Sequence, residues 1–216
     1  MKISGSYFDS APILPPAAVG VLAGLNRDYL DLLITGRPDG VEPLETHVMQ
    51  ELRQAGPASL DSMAACSYAL FALDPPFPLK ALDSGVPHVN DPVTERYGAG
   101  PRAGGAWTAF ATTALFFAWH LSRNSPLSAR VMLGFPVVAA EAMAALEPWQ
   151  LRHLADQQPA PLRPRWSTNP CFWPDLIRSA AGQDALQLDL ARLLGLQLLA
   201  ADLQPGPCAA ERRRRT

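Results

Sequence analysis

Proline placement between Ser125 and Trp166 limits what this chain can fold into more than any other feature. Pro126, Pro136 and Pro148 each stand at the head of an apolar run, and Pro159, Pro161 and Pro164 then crowd together. A proline suits the first turn of a helix, where its missing N–H would bond nothing, and breaks an interior turn. The spacing therefore predicts three short helices: Ser125-Pro126 to Gly134, Pro136 to Leu146, and Pro148 to Gln158. An extended stretch from Leu162 to Trp166 follows them.

The same signals recur along the rest of the chain. Pro15 and Pro16 precede Val21, Leu22, Leu25, Tyr29, Leu32 and Leu33 at helical spacing, which ends near Gly36. Leu44, Val48, Met49 and Leu52 form a second helix that stops at Gly56-Pro57. Ser59 is placed to cap a third, bearing Leu60, Met63, Ala64, Leu70 and Phe71. From residue 74 to 105 prolines and glycines are too dense for regular structure, which predicts a linker. Ala106 to Leu121 is apolar but shorter than the roughly 20 residues a membrane span needs, so it reads as a fully buried central helix. Asn169-Pro170 caps a helix carrying Phe172, Trp173, Leu176 and Ile177. The last helix, Asp184 to Leu203, has leucines nearly all round it, which makes it either buried on several sides or a dimer surface.

These elements give an all-α fold: a helical unit over residues 1–73, a Pro/Gly-rich linker over 74–105, a second helical unit over 106–205 and a basic tail over 206–216. With 48% hydrophobic and 18% charged residues in 216, the chain has ample material for a core. An internal echo lays Leu60-Asp61-Ser62-Met63-Ala64 on Leu151-Arg152-His153-Leu154-Ala155, a period of roughly 90 residues. Duplication of a helical unit and chance likeness between two amphipathic helices both account for it.

Charge divides unevenly. Met1 to Pro101 carries 6 positive and 12 negative side chains, and Arg102 to Thr216 carries 12 and 8. Such asymmetry favours contact between the halves or with a partner. Four of the positives are Arg212 to Arg215, so the folded part of the second half is too nearly neutral for a general nucleic-acid binder. No apolar run follows Met1-Lys2-Ile3 as a secretory signal would require, so a cytoplasmic location is expected. Cys66, Cys171 and Cys208 have neither zinc nor disulfide spacing.

Catalytic motifs are absent from the sequence: there is no GxSxG, phosphate-cradling glycine loop, HExxH or CxxC. No metal and no cofactor is expected. The turn at Gly134 has the form of a helix-turn-helix, but Val137 to Ala145 offers almost no donor for base edges. Gln150, Arg152, Arg163 and Arg165 are better candidates for phosphate contact. Trp149, Trp166 and Trp173 are candidate anchors for a protein partner, since aromatic residues concentrate at binding hot spots. An enzyme site under the 74–105 segment would have to use Asp83, His88, Asp91 and Glu95.

The run Ala129-Arg130-Val131-Met132-Leu133-Gly134, continued by Ala144-Ala145-Leu146, Gln150, Leu154-Ala155 and Arg165, resembles the FlhD subunit of the bacterial flagellar master transcription activator. The likeness extends back to Phe117 and forward to Ile177. It implies a small all-helical regulator that dimerises through its helices and joins a zinc-containing partner at promoters. A fused pair of such units would imitate the family's dimer within one chain. The chain departs from the family near Phe71 and Leu162, where no cysteine stands to bridge two subunits. The expected function is FlhD-like, non-enzymatic transcription regulation through a protein partner, with DNA touched indirectly or through that partner. An adaptor or assembly factor of a bacterial secretion or motility system is the alternative. Neither a membrane nor a small-molecule substrate is expected.

Overall fold

Prolines and glycines set the helix ends in the computed structural model, which describes residues 14–36, 43–73, 105–151 and 162–204. Pro16 opens α1 (Pro16–Thr35), which stops at Gly36 with φ 90°. After α2 (Thr46–Gln54), Pro57 opens α3 (Pro57–Ala64). The residue before that first turn is Gly56, and Ser59 lies inside the helix instead of capping it. Proline at the first position explains the difference, because its fixed φ starts the helix three residues earlier. Ser125 caps α5 (Pro126–Leu133) as its spacing predicts, its hydroxyl accepting from the Ser128 N–H at 3.2 Å, and Gly134 ends the helix in a left-handed conformation.

Helix α4 (Gly105–Asn124) precedes α5, and α6 (Val137–Ala145) follows it. A helical turn at 148–151 comes next, of which Arg152 and the residues to 161 lie outside the described residues. Asn169 accepts from the Cys171 and Phe172 N–H groups at the head of α7 (Phe172–Ala181), and α8 (Ala185–Asp202) completes the chain order. Helix makes up 74% of the described residues and strand 4%, which makes the fold all-α. Apart from Gly105, the Pro/Gly-rich 74–105 segment lies outside the described residues, together with Asp83, His88, Asp91 and Glu95; so does the basic tail.

The small strand content is one antiparallel pair, β1 (Phe71–Leu73) with β2 (Leu162–Pro164). Its register sets Phe71 against Pro164, Ala72 against Arg163 and Leu73 against Leu162. Several elements also repeat in length and spacing. Helices α2 and α6 have nine residues each and begin 91 positions apart, at Thr46 and Val137. Helices α1 and α4 have 20 residues each and begin 89 apart, at Pro16 and Gly105.

One cluster of buried side chains runs from Leu22 on α1 to Leu199 on α8. Helix α4 packs on α1, α5 and α6, while α7 packs on α8 and also on α2 and α3. Between α1, β1 and α4, Tyr29 lies 5.4 Å from Phe71 and 5.7 Å from Phe110 between ring centroids, and Phe71 lies 5.2 Å from Phe110. Aromatic pairs at such separations add about 0.5–1.5 kcal/mol each beyond area burial. Helix α4 is buried on one face, through Trp107, Phe110, Ala111, Ala114, Leu115, Ala118, Leu121 and Ser122, and not all round as its composition predicts. Thr113 and His120 fall on the solvent side, and Phe116, Phe117 and Trp119 are half-buried.

The connection from Ala65 to Leu70 is held by one side chain. Asn26 is fully buried on α1, at the helical spacing of Leu22, Tyr29 and Leu30. Its Nδ2 donates to the carbonyls of Ala64 and Tyr68 at 3.2 and 3.0 Å, and its Oδ1 accepts from the Leu70 N–H at 2.9 Å. The Ala69 N–H reaches the Met132 carbonyl of α5, and the Leu70 carbonyl accepts from the Arg165 N–H. Replacing Asn26 strands three buried backbone groups, each costing about 1–3 kcal/mol. We expect Asn26→Ala to lose about 3 kcal/mol or more, read as a lower urea midpoint at unchanged m-value; a loss under 1 kcal/mol would show that the connection holds without the amide.

Candidate functional site

Strand β2 and the turn into α7 gather four of the seven residues singled out from sequence: Arg163, Arg165, Trp166 and Trp173. Alternation along β2 turns Leu162 and Pro164 inward and leaves Arg163 exposed. Arg165 follows and is buried, with 6% of its surface accessible. Trp166 then takes φ 51°, a left-handed conformation rare for a bulky side chain. That reversal aims the chain into α7, where the buried Trp173 donates from Nε1 to the Arg165 carbonyl at 2.7 Å. Trp166 Nε1 donates to Asp202 Oδ2 at 2.8 Å, tying the turn to the end of α8.

Tyr68 and Phe172 complete the cluster, with Trp166 5.6 Å from Tyr68 and 4.8 Å from Phe172 between ring centroids. The Arg165 guanidinium lies 4.9 Å from the Trp166 ring centre, and its Nη1 is shielded from solvent without a hydrogen-bond partner. Burial lowers its pKa to about 10, while the Asp202 carboxylate acts in the opposite direction. Arg165 therefore remains cationic at neutral pH and is held by ring faces and by charge at a distance. It packs on the end of α5, where a Cβ added to Gly134 would lie 1.5 Å from Nη2.

Trp149 and Gln150 stand on the separate 148–151 turn. Trp149 is 55% exposed and is a ready contact residue. Gln150 is half-buried, and its Oε1 accepts from the Glu147 N–H at 2.8 Å, which closes that turn. Arg152 lies outside the described residues. Of the candidate phosphate contacts, Arg163 is at the surface and Arg165 is enclosed.

A polar cluster that the sequence reading left out sits behind Tyr68. The Tyr68 hydroxyl donates to the Arg192 carbonyl at 3.1 Å, and Arg192 Nη2 donates to the Ser62 carbonyl at 2.7 Å. Cys66 is buried beside both; burial raises its pKa, with Tyr68 and Arg192 pulling the other way. Tyr68 is pushed upward by burial first and by Cys66 second. Gly195 permits the fit, because a Cβ there would come within 2.0 Å of the Tyr68 hydroxyl. Glycine inside an apolar helix was the one sequence signal of this close approach.

Among the described residues no group of three or more His, Cys, Asp or Glu side chains is arranged to hold a metal, and no single helix is long and apolar enough to cross a membrane. An open groove of about 460 Å³ lies between α7 and α8, walled by Asp175, Arg178, Asp184, Gln187 and Leu190.

Two substitutions probe this region. Gly134→Ala must both displace a buried guanidinium and accept φ 70°, so we expect a loss of about 1–3 kcal/mol in a denaturant melt; part of it should be recovered in the double variant with Arg165→Ala, where only the backbone strain is left. Cys66 keeps its proton in the fold above its ordinary value of 9.0, whereas the unfolded chain releases it. Stability should therefore fall as pH rises from 9, by at most about 1.4 kcal/mol per unit for each such group, with Tyr68 contributing the same sign from pH 10. Cys66→Ala should flatten the slope between pH 9 and 10 in urea titrations, and an unchanged slope would refute this origin. Comparison with family models, curated proteins and solved structures finds no match for the chain.

Proposed function

We propose that the chain is a non-enzymatic, FlhD-like regulatory protein of the bacterial cytoplasm, in which two related helical units form within one polypeptide the dimer that the family builds from two. The pairing of β1 with β2 carries this reading. If a unit is repeated at an offset of 91 residues and the copies are related by a two-fold axis, the residue pair at the axis must itself be 91 apart. Ala72 and Arg163 are such a pair, and they face each other in the ladder. Phe71 with Pro164 and Leu73 with Leu162 exchange places about them. The same offset relates the starts of α2 and α6, Pro57 to Pro148, and the buried Leu60 to Leu151.

Such a unit acts through its outer faces, since the inner ones are committed to the core. Trp149, Val137 and Val138 are exposed near one another in sequence, with Arg163 the surface cation on β2. These suit a protein partner, with DNA reached through that partner. The enclosure of Arg165 and the apolar character of α6 favour a second reading, an adaptor of a secretion or motility system that never touches DNA.

Recovery of the tagged chain from its own cells, followed by a gel shift of the recovered complex on duplex DNA, separates the two. The regulatory reading expects a stoichiometric protein partner and a shift that weakens by orders of magnitude between 50 and 200 mM salt, as about six or more phosphate contacts require. A stoichiometric complex with no shift at either salt favours the adaptor. Recovery of the chain without any partner contradicts both.

A further inference from the structure

At an offset of 91 residues, α2 and α6 bury the same positions and expose the same positions. The buried Met49, Leu52 and Leu60 fall on the buried Ala140, Met143 and Leu151. The exposed Thr46, His47, Gln50 and Ala58 fall on the exposed Val137, Val138, Glu141 and Trp149. Solvent-facing positions that are polar or small on the first helix pair therefore carry large apolar side chains on the second. Val137, Val138 and Trp149 are 47%, 53% and 55% exposed. By helical spacing Val137, Val138, Glu141 and Ala145 share one stripe of α6, turned away from the buried Ala140 and Met143. Trp149 follows on the 148–151 turn, at most about 14 Å from Ala145 by length of chain. An exposed apolar cluster rimmed by charge marks a contact surface.

Charge decides what the contact takes. Glu141 stands at the middle of the stripe and Glu147 beside the Trp149 turn, both exposed, and no Lys, Arg or His lies between Val131 and Gln150. Among the described residues neither carboxylate has an ion-pair partner. Arg123, on the neighbouring α4, is turned onto the Trp119 ring, 5.0 Å from its centre. A second copy offering the same stripe would bring Glu141 against its own counterpart in either direction, and the phosphates of DNA or of anionic lipid meet the same repulsion. We infer that this face of α6 takes one amphipathic helix of a partner protein, its apolar residues on Val137, Val138 and Trp149 and its lysines or arginines opposite Glu141 and Glu147. A helix laid along α6 matches the stripe in shape, and opposed charge fixes its direction. The inference rests on the reading of two related helical units with a protein partner, and it adds the partner's chemistry and its number. Each chain takes one such helix, because α2 presents Thr46 and His47 where α6 presents two valines.

Site-specific photocross-linking of the full chain in its own cells tests this. Benzoylphenylalanine is placed at Val138 in one tagged chain and at His47 in another, and the cross-linked segment is mapped by mass spectrometry. Position 138 should capture one protein through a segment with apolar residues at helical spacing flanked by Lys or Arg, and position 47 should not. That segment, made as a peptide, should bind Glu141→Lys and Trp149→Ala at least about tenfold more weakly than the wild type. Both side chains face solvent, so the circular dichroism spectrum should be unchanged. The same peptide with its cations replaced by glutamate should prefer Glu141→Lys to the wild type. Capture of an acidic segment, of a second copy, of lipid or of nucleic acid overturns the inference, as do equal capture from position 47, no capture, and affinity indifferent to Glu141→Lys. A mapped basic helix whose complex gives no gel shift overturns the regulatory reading alone. A salt-sensitive shift that persists in full with both Glu141→Lys and Trp149→Ala overturns this inference alone.

Discussion

Asn26 is the contact on which the arrangement of the chain depends. A helix interior is a poor place for asparagine, and a buried one must satisfy its amide completely. Here all three partners are backbone groups of the Ala64 to Leu70 stretch, so a single side chain fixes where α3 ends and β1 begins. From that fixed point Ala69 reaches α5, Leu70 receives Arg165, and the Arg165 carbonyl receives Trp173. The ladder between β1 and β2 has only three residue pairs, too few to set its own register with certainty of geometry. Its register is supported at the Phe71–Pro164 end from both strands, by Asn26 through Leu70 and by the Arg165 and Trp173 bonds.

The β2-to-α7 turn shows how polar groups were fitted into an apolar interior without becoming reactive. Cys66 and Tyr68 are both raised by burial and keep their protons at neutral pH, while Arg165 keeps its charge against Trp166 and the field of Asp202. A lowered thiol and an accessible base would be needed for nucleophilic work, and this cluster moves in the opposite direction. Its consequence is rigidity: Tyr68, Trp166 and Phe172 lock α3, β2, α7 and α8 together.

Helices α1 and α4 match in length, as do α2 and α6, and the elements around them differ. Helix α5 lies between α4 and α6. Helices α7 and α8 follow β2, and α7 turns back over α2 and α3.

Helix ends were legible in the sequence wherever proline, glycine or an asparagine cap fixed the backbone, because those residues act through their own dihedral angles and N–H groups. Ser125-Pro126, Gly134 and Asn169 fall where their chemistry requires. The extended character of Leu162 to Pro164 was readable as well, whereas Leu70 and Phe71, expected on the third helix, lie beyond its end at Ala64, with Phe71 opening β1. Burial was less legible: α4 is apolar on every side yet buried on one, and α8 carries leucines all round yet covers only a stripe, since composition cannot say which neighbours arrive. For the candidate contact residues, the sequence determined their types and the tertiary structure decided their exposure. Arg163 and Arg165 differ by two positions, and strand alternation followed by a left-handed Trp166 sends one to solvent and the other beneath a ring. Local propensity is written residue by residue. Which cation is reachable depends on groups such as Asn26 and Asp202 that are distant in sequence, and only the assembled core brings them together.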